Sequence, residues 1–261
     1  MNRKALLSFF LLSLLSVIVI VPARAQTINS GWTDTPPTID GVKSVGEWDD
    51  ATMVQHDWGW GSGAIPIMWV HVMNDAINLY VLIEIEDDDT TVGDDVRIFF
   101  DNLHLSGSSP VDNDDMIKLV NDDTYGDYYY DSGMPAYYFD TTGSGSTDGQ
   151  GSCGQIAVIY YFELSHPLCS GDIRDFCLSL GQTVGFTIYF SDGGDGSGYW
   201  PGDASYPYEY GDIIIAQRPE KPEAVGGDVL LADKLELLTP CLIMAIVVLT
   251  AATVLIKKRK H

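Results

Sequence analysis

Oxygen-bearing side chains crowd one part of this 261-residue chain: Asp101 and Asn102, then Asp112, Asn113, Asp114 and Asp115. Calcium takes six to eight oxygens from carboxylates, amides and carbonyls, usually on loops, and this set offers that chemistry for one ion. A solvated acidic face is the competing reading. The stretch from Asn121 imitates a calcium helix–loop–helix at Asn121, Asp123 and Gly126. It then breaks the pattern, with Tyr125 at the fifth position and Ser132 where a bidentate Glu belongs, so it is not an EF-hand. A second group is aromatic. Trp58 and Trp60 stand in Asp57-Trp58-Gly59-Trp60-Gly61, and Tyr199 and Trp200 precede Pro201-Gly202. Flanking glycines leave rings uncovered, and a flat ring beside polar groups is what a sugar requires. These four are the candidate sugar platform; the alternative is that they plug the ends of the fold. Trp48 and Trp69 sit in or beside strand patterns and read as core.

Catalytic signatures are missing. The chain has no His-Glu-x-x-His, no Gly-x-Ser-x-Gly and no phosphate-cradling loop, and its histidines are scattered. Paired carboxylates carry no information, because with 37 acidic residues every spacing occurs somewhere. No enzyme is expected. Haem needs an axial pair on opposite sides of one iron. His71 and Met73 share one strand face and Met116 and Lys118 another, so neither pair can span a porphyrin, and haem ranks below the other readings.

The elements that would hold these residues are strands. Leu79, Val81, Ile83 and Ile85 alternate with Tyr80, Leu82, Glu84 and Glu86, and Val96, Ile98 and Phe100 alternate with Asp95, Arg97 and Asp101. Ile156 to Leu164 and Val184 to Phe190 repeat the pattern, which marks strands with one buried face. Further strands are expected at 52–58, 67–73, 115–120, 126–130, 136–140 and 211–216. Turn residues separate them, and 142–151, rich in Gly, Ser, Thr and Asp, reads as a mobile loop. About ten short strands without a sustained helical period predict an all-β, two-sheet antiparallel sandwich.

Two apolar segments bracket this region. Residues 1–25 read as a signal peptide: Arg3-Lys4, an apolar run, then Ala23-Arg24-Ala25. Residues 237–256 carry no charge and are long enough to span a bilayer as a helix, followed by the basic tail 257–261. The expected organisation is an ectodomain over 26–216, a Pro/Gly-containing stalk over 217–236, one transmembrane helix and a cytoplasmic C-terminus. Between the apolar segments lie all 37 acidic residues and seven of the 14 basic ones. So negative a surface excludes nucleic acid as a partner. Cys153, Cys169 and Cys177 lie in the exported part, where disulfides persist. Cys169 with Cys177 is the preferred pair, and Cys153 with either is its rival.

Several strings recur in order: Ile39-Asp40-Gly41; Gly46-Glu47-Trp48; Asn74-Asp75 leading to Leu79-Tyr80; Asp94-Asp95 to Phe100-Asp101-Asn102; Phe162-Glu163-Leu164-Ser165-His166-Pro167-Leu168; and Gly185-Phe186 to Tyr199-Trp200-Pro201-Gly202. In that order they resemble the family 9-like carbohydrate-binding modules (CBM9-like) within the DOMON-like β-sandwiches, and the resemblance covers residues 37–216. It implies a non-catalytic module. Founding members hold a sugar between aromatic rings and carry structural calcium, and a related branch binds haem b. Archaeal surface proteins with a similar basic-tailed anchor look most like the whole chain. The function expected is a cell-surface binding module, most concretely for carbohydrate. A structural or protein-interaction role in the cell envelope is the main alternative.

Overall fold

The computed structural model describes residues 26–57, 67–87, 93–105, 109–193, 196–201 and 209–220. The segments 1–25 and 237–256 lie outside these, as do Trp58 and Trp60. Among the described residues no helix is long and apolar enough to cross a membrane.

Fourteen strands are described: β1 (Thr27–Asn29), β2 (Gly31–Trp32), β3 (Thr52–Asp57), β4 (Ile67–Asn74), β5 (Asn78–Glu86), β6 (Asp95–Asp101), β7 (Asp115–Val120), β8 (Tyr125–Asp131), β9 (Ala136–Phe139), β10 (Gln150–Ile156), β11 (Ile159–Pro167), β12 (Thr183–Asp192), β13 (Gly196–Trp200) and β14 (Gly211–Ile214). The larger sheet runs β1-β14-β12-β6-β7-β8-β9, with β13 also on β12; the smaller runs β10-β11-β5-β4-β2, with β3 also on β4. Both sheets are mixed rather than purely antiparallel. β1 pairs in parallel with β14, and β2 with β4, which ties the N-terminal residues into both sheets.

The alternating positions do what their period dictates. Val96, Ile98, Phe100, Ile117, Leu119, Val184, Phe186, Ile188 and Phe190 of one sheet meet Val70, Val72, Val81, Ile83, Ile85, Phe162 and Leu164 of the other in one core. Each such side chain, fully removed from water, contributes roughly 1.5–3 kcal/mol. The outer face of the smaller sheet is covered too. Trp48, Met73, Tyr80 and Leu82 form a second cluster under the segment carrying Ile39 and Ala51.

Glu163 explains why the Ile39-Asp40-Gly41 and Trp48 strings travel with Phe162-Glu163. Its fully buried carboxylate accepts the Asp40 N–H at 3.0 Å, the Gly41 N–H at 2.9 Å and the Trp48 indole N–H at 3.0 Å. One side chain of β11 thus pins the whole N-terminal cover. Burial pushes the carboxyl above its usual range, while the three donors oppose that rise.

The segment 142–151 is not a single loop. A short 3₁₀ turn occupies Asp140–Gly143 and β10 begins at Gln150. The glycines of β10 answer to packing: a Cβ on Gly154 would stand 2.3 Å from the Gly41 carbonyl oxygen. β10 and β11 form a hairpin in which Ile156 pairs with Ile159, so the alternating run expected from Ile156 breaks at Ala157, at φ 58.

Candidate functional site

Strand parity decides what the larger sheet shows to solvent. With Val96, Ile98 and Phe100 in the core, Asp95, Arg97 and Phe99 of β6 take the outer face. Pairing registers extend that face across the sheet: Tyr189 of β12 lies opposite Arg97 and Tyr199, Lys118 of β7 opposite Arg97, and Tyr128 and Tyr130 of β8 opposite Phe139 and Tyr137 of β9. The rings touch in sequence. Tyr189 and Tyr199 have centroids 4.7 Å apart, Tyr199 and Phe99 6.5 Å, Phe99 and Tyr137 5.2 Å, and Tyr137 and Tyr130 5.2 Å. Tyr128 and Phe139 stack at 4.3 Å, with Phe139 half exposed.

A charged group is set into this aromatic floor. Arg97 grips Asp95 in a fork, Nε to Oδ1 at 2.6 Å and Nη2 to Oδ2 at 3.0 Å, while Lys118 approaches the same carboxylate at 3.3 Å. The Arg97 guanidinium also lies 4.8 Å from the Tyr189 ring centre. Asp95 is buried, but Arg97 and Lys118 are partly exposed, so unspent donors face outward beside flat rings. Apolar ring faces with a few fixed polar groups are what a pyranose uses: axial C–H bonds on the rings, hydroxyls on the donors.

The expected platform residues divide. Tyr199 belongs to this face. Trp200, one residue on, points the other way. It is 4% exposed and packs 5.4 Å from Phe186 in the core, because it pairs with the inward-facing Ile188. As a platform residue it is corrected. Trp58 and Trp60 lie outside the described residues. The sequence reading missed Arg97, Tyr128, Tyr130, Tyr137, Phe139 and Tyr189; the signal was the alternate phase of the very strands it identified.

The six expected calcium ligands also divide. Asp114 accepts the Val111 N–H at 2.7 Å and the Asn102 N–H at 3.2 Å, and burial pushes its carboxyl up to about 6. Asp112 accepts the Ser132 N–H, Asp101 accepts the Leu105 N–H, and Asn113 is bonded by Arg174. Asn102 bridges by donating to the Asn113 carbonyl and accepting from the Asp115 N–H. These groups brace the loop backbone rather than converge on one point. Asp115 leaves the set altogether and turns into the core.

There it meets a different company. Asp115 of β7, Asp127 of β8, His166 of β11 and Asp175 each bring one donor atom within 4.8 Å of the others, and all four are buried. Asp175 sits in the loop closed by a disulfide between Cys169 and Cys177; Cys153 is free and half-buried. Burial and neighbouring carboxylates push Asp127 up to about 7, Asp140, beside Asp175, up to about 9, and Asp175 itself up to about 6. Burial lowers His166 to about 4, so its imidazole is neutral.

No protein-family model and no curated protein matches this chain. Solved structures do. One is a carbohydrate binding module family 9 from Caldicellulosiruptor kristjanssonii in complex with glucose, with a TM-score of 0.51 and 16% identity over 76% of this chain and 100% of that one. Another, from the same organism in complex with cellotriose, has a TM-score of 0.51 and 16% identity over 78% and 99%. The fold is that of a family 9 module. At this identity the likeness speaks for the fold alone, and the site rests on this chain's own residues.

Proposed function

We propose that this chain is a non-catalytic carbohydrate-binding module whose platform is the outer face of the larger sheet. The observation that carries the reading is the aromatic floor from Tyr189 to Phe139 around the Arg97–Asp95–Lys118 group. Its fold neighbours were solved with glucose and cellotriose, which makes β-glucan fragments the first ligands to try. In the same proposal residues 1–25 direct export and 237–256 anchor the chain in the membrane, with 257–261 inside the cell. The module then presents its platform at the cell surface.

Isothermal titration of the full chain in detergent with glucose, cellotriose and longer gluco-oligosaccharides tests the reading. Tyr199→Ala, Tyr189→Ala and Phe139→Ala each remove a partly exposed ring at little cost to the core. Each should weaken binding about 2- to 10-fold, the worth of one aromatic contact. Binding that all three variants leave unchanged, or no binding across a broad saccharide panel, overturns it. Surface labelling of intact cells checks the topology: protection of the module from an external protease would contradict it.

A further inference from the structure

The strongest feature outside the platform is the buried group at one end of the sandwich. His166 Nε2 lies 3.9 Å from Asp115 Oδ2, 3.9 Å from Asp127 Oδ2 and 3.7 Å from Asp175 Oδ2. These are too long for hydrogen bonds and too short for indifference. Both Asp115 oxygens, Asp127 Oδ1 and His166 Nε2 are buried without any hydrogen-bond partner. Asp115 and Asp127 are fully buried and His166 is 1% exposed. Unsatisfied carboxylates in a dry site are costly, and three or four side by side cost more.

The histidine is oriented for a different partner. Its Nδ1–H donates to the Pro167 carbonyl at 2.8 Å, which fixes the tautomer and leaves the Nε2 lone pair aimed at the three carboxylates. A ring held through one nitrogen by a carbonyl, with the other nitrogen turned into a cluster of carboxylates, is the arrangement metal-ligating histidines adopt.

We propose that Asp115, Asp127, His166 and Asp175 form a structural site for one divalent first-row transition ion, such as zinc. One imidazole nitrogen among carboxylates suits such an ion, whereas calcium prefers an all-oxygen shell of six to eight. Four donors about 2.1 Å from a tetrahedral ion lie about 3.4 Å apart. The observed 3.7–3.9 Å to the imidazole needs a contraction of only a few tenths of an ångström. The ligands come from β7 and β8 of one sheet, β11 of the other and the disulfide-closed loop, so the ion clamps the two sheets together. Asp140, also buried, stands beside Asp175 and shares a side-chain hydrogen bond with it. This inference is independent of the sugar platform.

The test uses the full chain, stripped with chelator and titrated with zinc, manganese and calcium. Metal analysis should find one equivalent of zinc retained against millimolar calcium. At 1,000-fold excess over its dissociation constant, zinc should raise the melting temperature by roughly 8–16 °C. Cobalt loaded in its place should show visible d–d absorption that shifts in His166→Gln. Asp115→Asn should weaken zinc binding more than about 100-fold, while Asp112→Asn, on the loop outside the site, should leave it unchanged. Wild-type chain that retains no zinc, or binds calcium more tightly, overturns the proposal. So does zinc binding that Asp115→Asn leaves intact. The wild-type measurements stand even if a variant fails to fold.

Discussion

Replacing Glu163 tests whether one carboxylate holds the N-terminal cover onto the smaller sheet. Glu163→Ala deletes a fully buried side chain that accepts three hydrogen bonds, and strands the N–H groups of Gly41 and Trp48 in the interior. Hydrogen bonds to a charged group contribute about 1.5–3 kcal/mol each, and breaking a buried charged network costs about 3–5 kcal/mol in all. For a domain of this size that lowers the melting temperature by roughly 6–20 °C. Glu163→Gln separates the terms. Its amide oxygen can still accept from Asp40 and Gly41, which share Oε2, but its NH₂ then faces the Trp48 indole N–H, donor against donor. The loss should be about 1–3 kcal/mol. Trp48→Phe removes the opposing donor, so the double variant should be more stable than the two single losses predict, by about 0.5–3 kcal/mol. Urea unfolding of the four proteins measures the cycle. A Glu163→Ala loss below about 1 kcal/mol, or an additive cycle, would refute the idea that this carboxylate is the pin.

Asn74 does the corresponding work at the other end. Its fully buried amide accepts from Ser30 and the Ala216 N–H and donates to the carbonyls of Asp75 and Ala216, so Asn74→Ala should cost about 2–4 kcal/mol and make the strand ending at Ile214 an early site of proteolysis. Reducing the Cys169–Cys177 bond opens a short loop, worth about 2–3 kcal/mol in denaturant unfolding, and should weaken zinc binding because Asp175 rides on that loop. In chelated protein, stability should fall as pH rises from 7 to 9. Asp140 and Asp127, raised to about 9 and about 7, hold protons when folded that the unfolded chain released near pH 4, so their contribution is complete below that point and declines above it; that of Asp127 is nearly spent by about pH 7, and that of Asp140 supplies the loss from 7 to 9. His166, lowered to about 4, acts in the opposite sense only below its usual range near 6.5, outside this window. Urea midpoints at pH 7 and 9 that do not differ would contradict the assignment, and zinc should flatten the slope.

Much of the fold was legible locally. A strand with one buried face writes its period into consecutive residues, so Asn78–Glu86, Asp95–Asp101 and Thr183–Asp192 could be read without knowing their partners. β10 and β13 were not, because their glycines carry no hydrophobic pattern; in β10 the close approach of the Gly41 backbone selects glycine at Gly154. Tyr199 and Trp200 show the consequence: adjacent in sequence, they face opposite sides of the sheet, and only the pairing with Tyr189 and Ile188 says which faces out. The aromatic floor was half present in the sequence as the outward phase of known strands. The buried centre was absent from it. Asp115, Asp127, His166 and Asp175 are drawn from two sheets and a disulfide loop, so no spacing rule joins them, and in a chain with 37 acidic residues composition cannot single them out. The sequence by itself determined which residues alternate toward a core; the tertiary structure decided which carboxylates lost their water, and burial rather than identity is what turns an aspartate into a ligand.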